Sequence, residues 1–523
     1  MTRAVSGGNV RCAALALLLF AVANVVTGRL DVERGLGWDG EHYARVLRGD
    51  FEGVSQNILL RPIIPVLNAP AYWLLGDALS AFEAMNYVYV LLLALAVCSI
   101  FDVYSPDARG KTLLVVNLFL CIAVARMFAF YPTLIDLGAC AVIVTATRIV
   151  LAGSWGGAAA AGIVAALSRE FGACVAIFGF IRQVRMTGRV VPALLCWSPT
   201  VVAMLALRAG VSTLSGPVML DAETLLTNAE YWANPNYGLV FLYFLLTSFG
   251  GVSLAIATAP AARRMGREEP EWLAFVLLII PAAALTADIW RYLLYLLPVV
   301  PPLFASAWRA MAPARLRAYA LTITAATLVT QRPWAPVDEF IYFRDWFPFY
   351  GQLGWVPEDL PVTLFPFWIW RPAIVALLAA LLVIMRFPVP AAAWRRVAWS
   401  TAGIVAAFGA GAWALGFRPV LQSPSVGPRE ATVRWSSDVD TATRHRLEKA
   451  FRIEPFRDEG NRTWRYRFTG ASRIHDLLRD RRVEDSHYFE NFDWRWRYTY
   501  YLELFAPTRV SLARRHLPIT RLE

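Results

Sequence analysis

The residues best suited to chemistry sit just after the first apolar run: Trp38-Asp39-Gly40-Glu41-His42-Tyr43, then Arg61-Pro62-Ile63-Ile64-Pro65. A carboxylate beside an aromatic ring can take a proton from a hydroxyl or bind a metal ion, and a guanidinium is the natural partner of a departing phosphate. The same Asp39 and Glu41 also read as an ordinary solvated acidic loop, and Arg61 as a snorkelling flank of the apolar segment that it opens. Position, set by the elements that carry the residues, decides between these readings.

With 57% hydrophobic and 17% charged residues over 523 positions and a mean hydropathy of +0.47, the chain is not an ordinary soluble protein. It reads as a polytopic α-helical membrane protein. The net charge of +11 comes from 50 Lys and Arg against 39 Asp and Glu, and the arginines lie largely at the ends of apolar segments. They mark topology rather than a nucleic-acid surface. Nearly all are arginine, Lys111 and Lys449 being the exceptions, which fits a GC-rich bacterial genome. Cys12, Cys98, Cys121, Cys140, Cys174 and Cys196 all fall in apolar stretches without metal or disulfide spacing and read as small core residues. The first apolar run, with Arg3 and Arg11 ahead of it, lacks a clear cleavage site and reads as an uncleaved span.

Apolar segments recur around 10–28, 61–103, 111–130, 134–152, 155–182, 190–209, 237–260, 272–287, 290–308, 316–331, 366–385 and 397–416. The basic clusters Arg109/Lys111, Arg148, Arg182/Arg185/Arg189, Arg263/Arg264/Arg267, Arg309/Arg315/Arg317 and Arg386/Arg395/Arg396 should all be cytoplasmic. Arg148 and Arg182 flank one apolar run, so both can be inside only if that run turns back at Ser168-Arg169-Glu170. The reading is then of 12–13 crossings, with the loops 29–60, 210–236 and 332–365 and everything after about 417 outside. The segment 61–76 is too short to cross upright and is expected to lie in the interface or to enter obliquely.

Residues 1–416 thus form one multi-pass domain. A Pro/Ser/Gly-bearing linker, 417–430, follows, and 431–523 has the texture of a small extracytoplasmic α+β domain with an aromatic and Arg-rich tail. Strand-like Ala431–Ser436, a helix Thr441–Phe451, strands Arg452–Arg457 and Thr463–Phe468, a helix Ser472–Leu478 and a strand Val483–Phe489 give β-α-β-β-α-β, a ferredoxin-like order. The tail Trp494–Phe505 is expected to pack on the membrane surface.

Other charged clusters share the outer side in this topology. Arg169-Glu170 reads either as a self-satisfied ion pair at the hairpin turn or as part of a ligand site. Asp288-Ile289-Trp290-Arg291-Tyr292 reads as a site or as an interfacial anchor. The acids of Val337-Asp338-Glu339-Phe340 through Tyr350 lie among aromatics, which suits sugar stacking and lipid headgroups equally. His42 is the only histidine outside the C-terminal region, so a His-based metal centre or Ser-His-Asp triad lacks material. No Walker loop or dinucleotide fingerprint appears, and neither a nucleotide nor a flavin is expected.

Taken together, the first motif, Arg61-Pro62-Ile63-Ile64-Pro65, Leu167-Ser168-Arg169-Glu170 and Arg291-Tyr292-Leu293-Leu294 with Pro298 resemble the bacterial polytopic glycosyltransferases of the GT-C superfamily, over roughly residues 10–310. The resemblance implies an inverting transfer of a sugar from a polyprenyl-phosphate donor to a cell-envelope glycan or lipid acceptor, on the extracytoplasmic side of the bacterial plasma membrane. It makes Asp39 the catalytic base and Glu41 an accessory acid or metal ligand. It makes Arg61 a donor-phosphate contact, with Tyr43 beside it on the substrate. Arg169, Glu170, Asp288 and Arg291 become cavity-lining residues. The chain reads Asp-Gly-Glu where the family has adjacent acids, which leaves a divalent cation such as Mg or Mn open. A lipid-linked glycan flippase would also carry intramembrane charge, but near the midplane and with repeat symmetry, neither of which this sequence shows. An envelope glycan polymerase or ligase shares the chemistry and differs in acceptor.

Overall fold

The computed structural model describes residues 7–27, 36–51, 54–213, 241–242, 244–286, 289–331, 429–451, 453–468 and 482–489. The chain divides into two compact units, with 7–331 in the first and 429–489 in the second. Asp288, most of the loop 210–236, the loop 332–365, the apolar runs 366–385 and 397–416, the linker to 428, Ser472–Leu478 and the tail Trp494–Phe505 lie outside the described residues.

The first unit is helical. It runs α1 (Gly7–Val26), α2 (Gly37–Leu47), α3 (Gln56–Leu59), α4 (Ile63–Leu75), α5 (Ala78–Tyr104), α6 (Ala108–Phe119), α7 (Met127–Phe130), α8 (Asp136–Leu151), α9 (Trp155–Ser168), α10 (Ala173–Thr187) and α11 (Val190–Ser212). It continues with α12 (Gly251–Thr258), α13 (Pro260–Glu268), α14 (Leu273–Ala284), α15 (Ile289–Leu293), α16 (Val300–Arg309) and α17 (Leu316–Gln331). Among the described residues, four stretches are long and apolar enough to cross a bilayer: Gly7–Val25, Ala78–Tyr104, Val190–Ser212 and Ile289–Arg309. Ile63–Leu75, Trp155–Ser168 and Pro270–Ala284 are shorter apolar helices.

Local chemistry sets the joints. Gly76, at φ +71°, ends α4 in the left-handed region, and Asp77 then caps α5 by accepting the Ser80 amide at 2.7 Å. Asp107 caps α6, accepting from the Gly110 amide at 2.8 Å and from Trp308 Nε1 at 2.6 Å, which ties this end to α16. The run 111–130 is not one straight helix. It breaks at Leu120-Cys121, and the two limbs meet at 66°. A π-turn, Ile122–Arg126, follows the break, and Gln331 Oε1 accepts the Ile122 amide at 3.0 Å, so a side chain from α17 supplies the partner that the broken ladder lost.

The long apolar run 155–182 breaks where its charges demand. α9 stops at Ser168, Arg169 is extended, and a 3₁₀ turn, Glu170–Gly172, leads into α10. A Cβ on Gly172 would collide with the Ala165 carbonyl, so the turn sits directly on the α9 backbone.

The second unit is a four-stranded antiparallel sheet, β1 (Arg429–Trp435), β2 (Ile453–Gly460), β3 (Thr463–Phe468) and β4 (Val483–Phe489), in the order β2-β3-β1-β4, with α18 (Thr441–Phe451) joining β1 to β2. β1 and β2 therefore run parallel, with β3 inserted between them in the opposite sense, a split β-α-β arrangement. Tyr466 is fully buried; its hydroxyl donates to Glu448 Oε1 at 2.8 Å and accepts from Trp435 Nε1 at 2.8 Å.

Candidate functional site

Asp39 does not lie in a loop. It occupies the first turn of α2, and that helix is seated on the turn between α7 and α8. The Asp39 amide donates to Tyr131 Oη at 2.6 Å, Thr133 Oγ1 donates to the Leu36 carbonyl at 2.5 Å, and the Pro132 carbonyl accepts from Asn86 Nδ2 at 2.8 Å. Gly40 faces Thr133 so closely that a Cβ there would overlap the threonine side chain. Gly37, at φ +69°, faces the Tyr131 ring in the same way.

Helical placement separates the two acids of the motif. Residues two apart on a helix point to different sides. Glu41 turns outward to Arg48, at 3.2 Å, while Asp39 Oδ2 meets Arg291 Nη2 at 3.3 Å. Tyr43, four residues on from Asp39 and on its side of α2, is fully buried against Phe82, and its hydroxyl has no hydrogen-bond partner.

Arg291 reaches Asp39 from α15, 252 residues away in sequence. Its guanidinium is held from behind by Asp136, the first residue of α8: Nε and Nη2 donate to Asp136 Oδ2 at 3.1 and 3.0 Å. Asp136 Oδ1 accepts from Tyr295 Oη at 2.8 Å and faces Arg169 Nη1 at 3.2 Å. With no exposed surface at all, Asp136 is the buried counter-ion of two arginines. The sequence reading passed over it, because it sits inside the apolar run 134–152. An acid within such a run was itself the signal.

Arg169 is only 2% exposed and lies over the rings of Tyr292 and Tyr295, its guanidinium carbon 5.9 and 5.7 Å from their centres. Phe171 packs 5.0 Å from the same two rings. The next acid, Glu170, takes a forked pair from Arg61, with Nη2 at 2.6 Å and Nε at 3.2 Å, and lies 3.5 Å from Arg169 Nε. Its side chain keeps 46% of its surface exposed while Arg61 keeps 11%. Partial burial pushes the Glu170 carboxyl up, but the guanidinium groups of Arg61 and Arg169 outweigh it and hold it down at about 2.

The result is a chain of alternating charge, Asp39–Arg291–Asp136–Arg169–Glu170–Arg61, assembled from α2, α8, the α9–α10 turn, α15 and the approach to α4. Of the residues singled out from sequence, Asp39, Tyr43, Arg61, Arg169, Glu170 and Arg291 gather here. Glu41 does not, and Asp288 lies outside the described residues.

The donor set of the described residues does not suit a divalent cation. Among the described residues no three His, Cys, Asp or Glu side chains come together, and the gap between Asp39 and Asp136 is filled by the Arg291 guanidinium. The arrangement can keep Asp39 next to a fixed positive charge, half-open to a reactant, with two further guanidinium groups for an anion.

A second charged cluster lies toward the other end of α10, about 14–18 Å along the helix axis. Glu271, fully buried, accepts from Arg182 Nη1 at 2.9 Å and Arg185 Nη2 at 2.6 Å, and Tyr104 Oη donates to Glu269 at 2.7 Å. It ties α5, α10 and the entry to α14 together. No family model, curated protein or solved structure matches the chain.

Proposed function

We propose that this chain is an integral-membrane glycosyltransferase of the GT-C kind, transferring a sugar from a polyprenyl-phosphate donor to a cell-envelope glycan or lipid acceptor outside the cytoplasm of a bacterial cell. The observation that carries the reading is the contact of Asp39 with Arg291 in a cluster that also holds Arg169, paired with Asp136, and Arg61, paired with Glu170, near the start of α10. In the full topology of 12–13 crossings this end faces outside, and the Glu271 cluster at the opposite end of α10 faces the cytoplasm.

The chemistry follows from the charges. Asp39 accepts the proton of the acceptor hydroxyl as its oxygen attacks the sugar carbon that carries the phosphate, and the bond to the polyprenyl phosphate breaks. Arg61 and Arg291 offset the charge that develops on the departing phosphate. One displacement inverts the sugar carbon. No step is routed through a metal ion, and transfer is expected to persist in EDTA.

The test is transfer by purified protein in nanodiscs over a panel of polyprenyl-phosphate sugars. Asp39→Asn should lose about 10²- to 10⁴-fold in rate while keeping its thermal unfolding profile. Near-normal transfer by Asp39→Asn would sink the reading.

A further inference from the structure

The forked Arg61–Glu170 pair has the geometry with which arginine takes a phosphate: two parallel N–H donors meeting two oxygens of one planar or tetrahedral anion. The carboxylate that fills this fork is supplied by the chain itself. It comes from a 3₁₀ turn whose side chain is nearly half exposed, whereas the guanidinium that it covers is almost buried. Within the cluster three carboxylates face three guanidinium groups, so an incoming anion finds no spare positive charge until one carboxylate leaves. Asp136 cannot leave, being fully buried and held by Arg291, Arg169 and Tyr295. Glu170 can.

Three atoms of the cluster have no hydrogen-bond partner: Arg169 Nε and Nη1, which still face the Glu170 and Asp136 carboxylates at 3.5 and 3.2 Å, and the Tyr43 hydroxyl. The Tyr43 hydroxyl is buried with no partner, and it lies within electrostatic reach of both Arg61 and Arg169. A buried hydroxyl without a hydrogen bond is costly and uncommon. A carboxylate has two oxygens, both engaged here with arginine. A phosphate monoester has three terminal oxygens, so one remains for Tyr43 after the fork is filled.

We infer that Glu170 is a built-in stand-in for a phosphate group: it occupies the Arg61 fork in the resting protein, and binding of a phosphate-bearing ligand swings it toward solvent and completes the hydrogen bond that the Tyr43 hydroxyl lacks. The inference rests on the proposed transfer for its ligand class, the polyprenyl phosphate monoester that the reaction releases; the donor itself is a phosphodiester, whose two unshared oxygens fill the fork alone. It adds that the site is held shut by its own acid.

The experiment measures binding without any acceptor sugar. Full-length protein is placed in phosphatidylcholine nanodiscs and titrated in two arms, one with inorganic phosphate and one with polyprenyl phosphate incorporated in the disc. Glu170→Gln should tighten binding about tenfold, because a neutral amide competes less well for the fork, and Tyr43→Phe should weaken it about tenfold, one hydrogen bond to a charged group. Tightening in both arms supports a site that reads the phosphate group alone. Tightening only in the lipid arm supports one that needs the anchored lipid. Glu170→Gln binding no more tightly in either arm overturns the inference, as does Tyr43→Phe binding with wild-type affinity while its thermal unfolding is unchanged. Glu170-dependent phosphate binding without sugar transfer would remove the glycosyltransferase reading and leave this one. Transfer with no Glu170 dependence would do the reverse.

Discussion

At the level of single side chains, Asp136 carries the largest consequence. Asp136→Asn leaves the Arg169 and Arg291 guanidinium groups facing a neutral amide in a buried place, and uncompensated buried charge of this kind costs about 3 kcal/mol. Thermal unfolding in detergent should show the loss, and an unchanged midpoint would mean that the two arginines find other partners. Glu170 gives a pH signature. Its folded value, about 2, lies below its ordinary 4.5, so the pair stabilises the fold fully above pH 4.5 and that contribution fades as pH falls toward 2. The unfolding midpoints of wild type and Glu170→Gln should therefore converge as pH drops below 4.5, and a constant gap would contradict the assignment. Arg169, Glu170 and Arg291 were legible in the sequence because charge inside or between apolar runs demands an explanation. Asp136 carried the same signal, an acid inside the apolar run 134–152, and only its two partners, 33 and 155 positions further on, were hidden. The Asp39–Glu41 pair misled for a related reason: two acids two residues apart look like one site in a loop and become opposite sides in a helix.

Among the elements, the α9–α10 turn and the seat of α2 decide whether the charged side chains meet. Gly172 has no room for a side chain because its neighbour is the Ala165 carbonyl, which cannot rotate away. Gly172→Ala should lift the turn, lower thermal stability by about 1–3 kcal/mol and weaken the Arg61–Glu170 pair. Wild-type stability would show that the turn slides instead. The break at Ser168-Arg169-Glu170 could be read from charge alone, and the caps at Asp77 and Asp107 follow the usual N-terminal preference for aspartate. The 66° break after α6 was hidden. Its sequence, Leu120-Cys121-Ile122, carries no proline or glycine, and the partner that makes the break tolerable, Gln331, comes 209 residues later.

For the molecule as a whole, the two units are stabilised by different physics. The first buries aliphatic and aromatic side chains around a few fully paired ions. The second is a small sheet whose interior is organised by Trp435, Tyr466 and Glu448. Tyr466→Phe removes the hydroxyl that serves both partners and should destabilise that unit by about 1–3 kcal/mol. Hydrogen exchange should quicken over 429–489 and stay unchanged over 7–331, and a change spread over both stretches would argue against separate units. The positions of the strands were readable because each is short and bounded by a turn.

The alternating chain of charges also has a history written into it. Asp39 and Asp136 are made first, Arg169 soon after Asp136, and Arg291 only when more than half the protein has been synthesised. Until then Asp136 has one of its two arginines and Asp39 has none. A nascent chain arrested before residue 291 thus carries, within its helical unit, acids that still await the guanidinium group shared by Asp39 and Asp136.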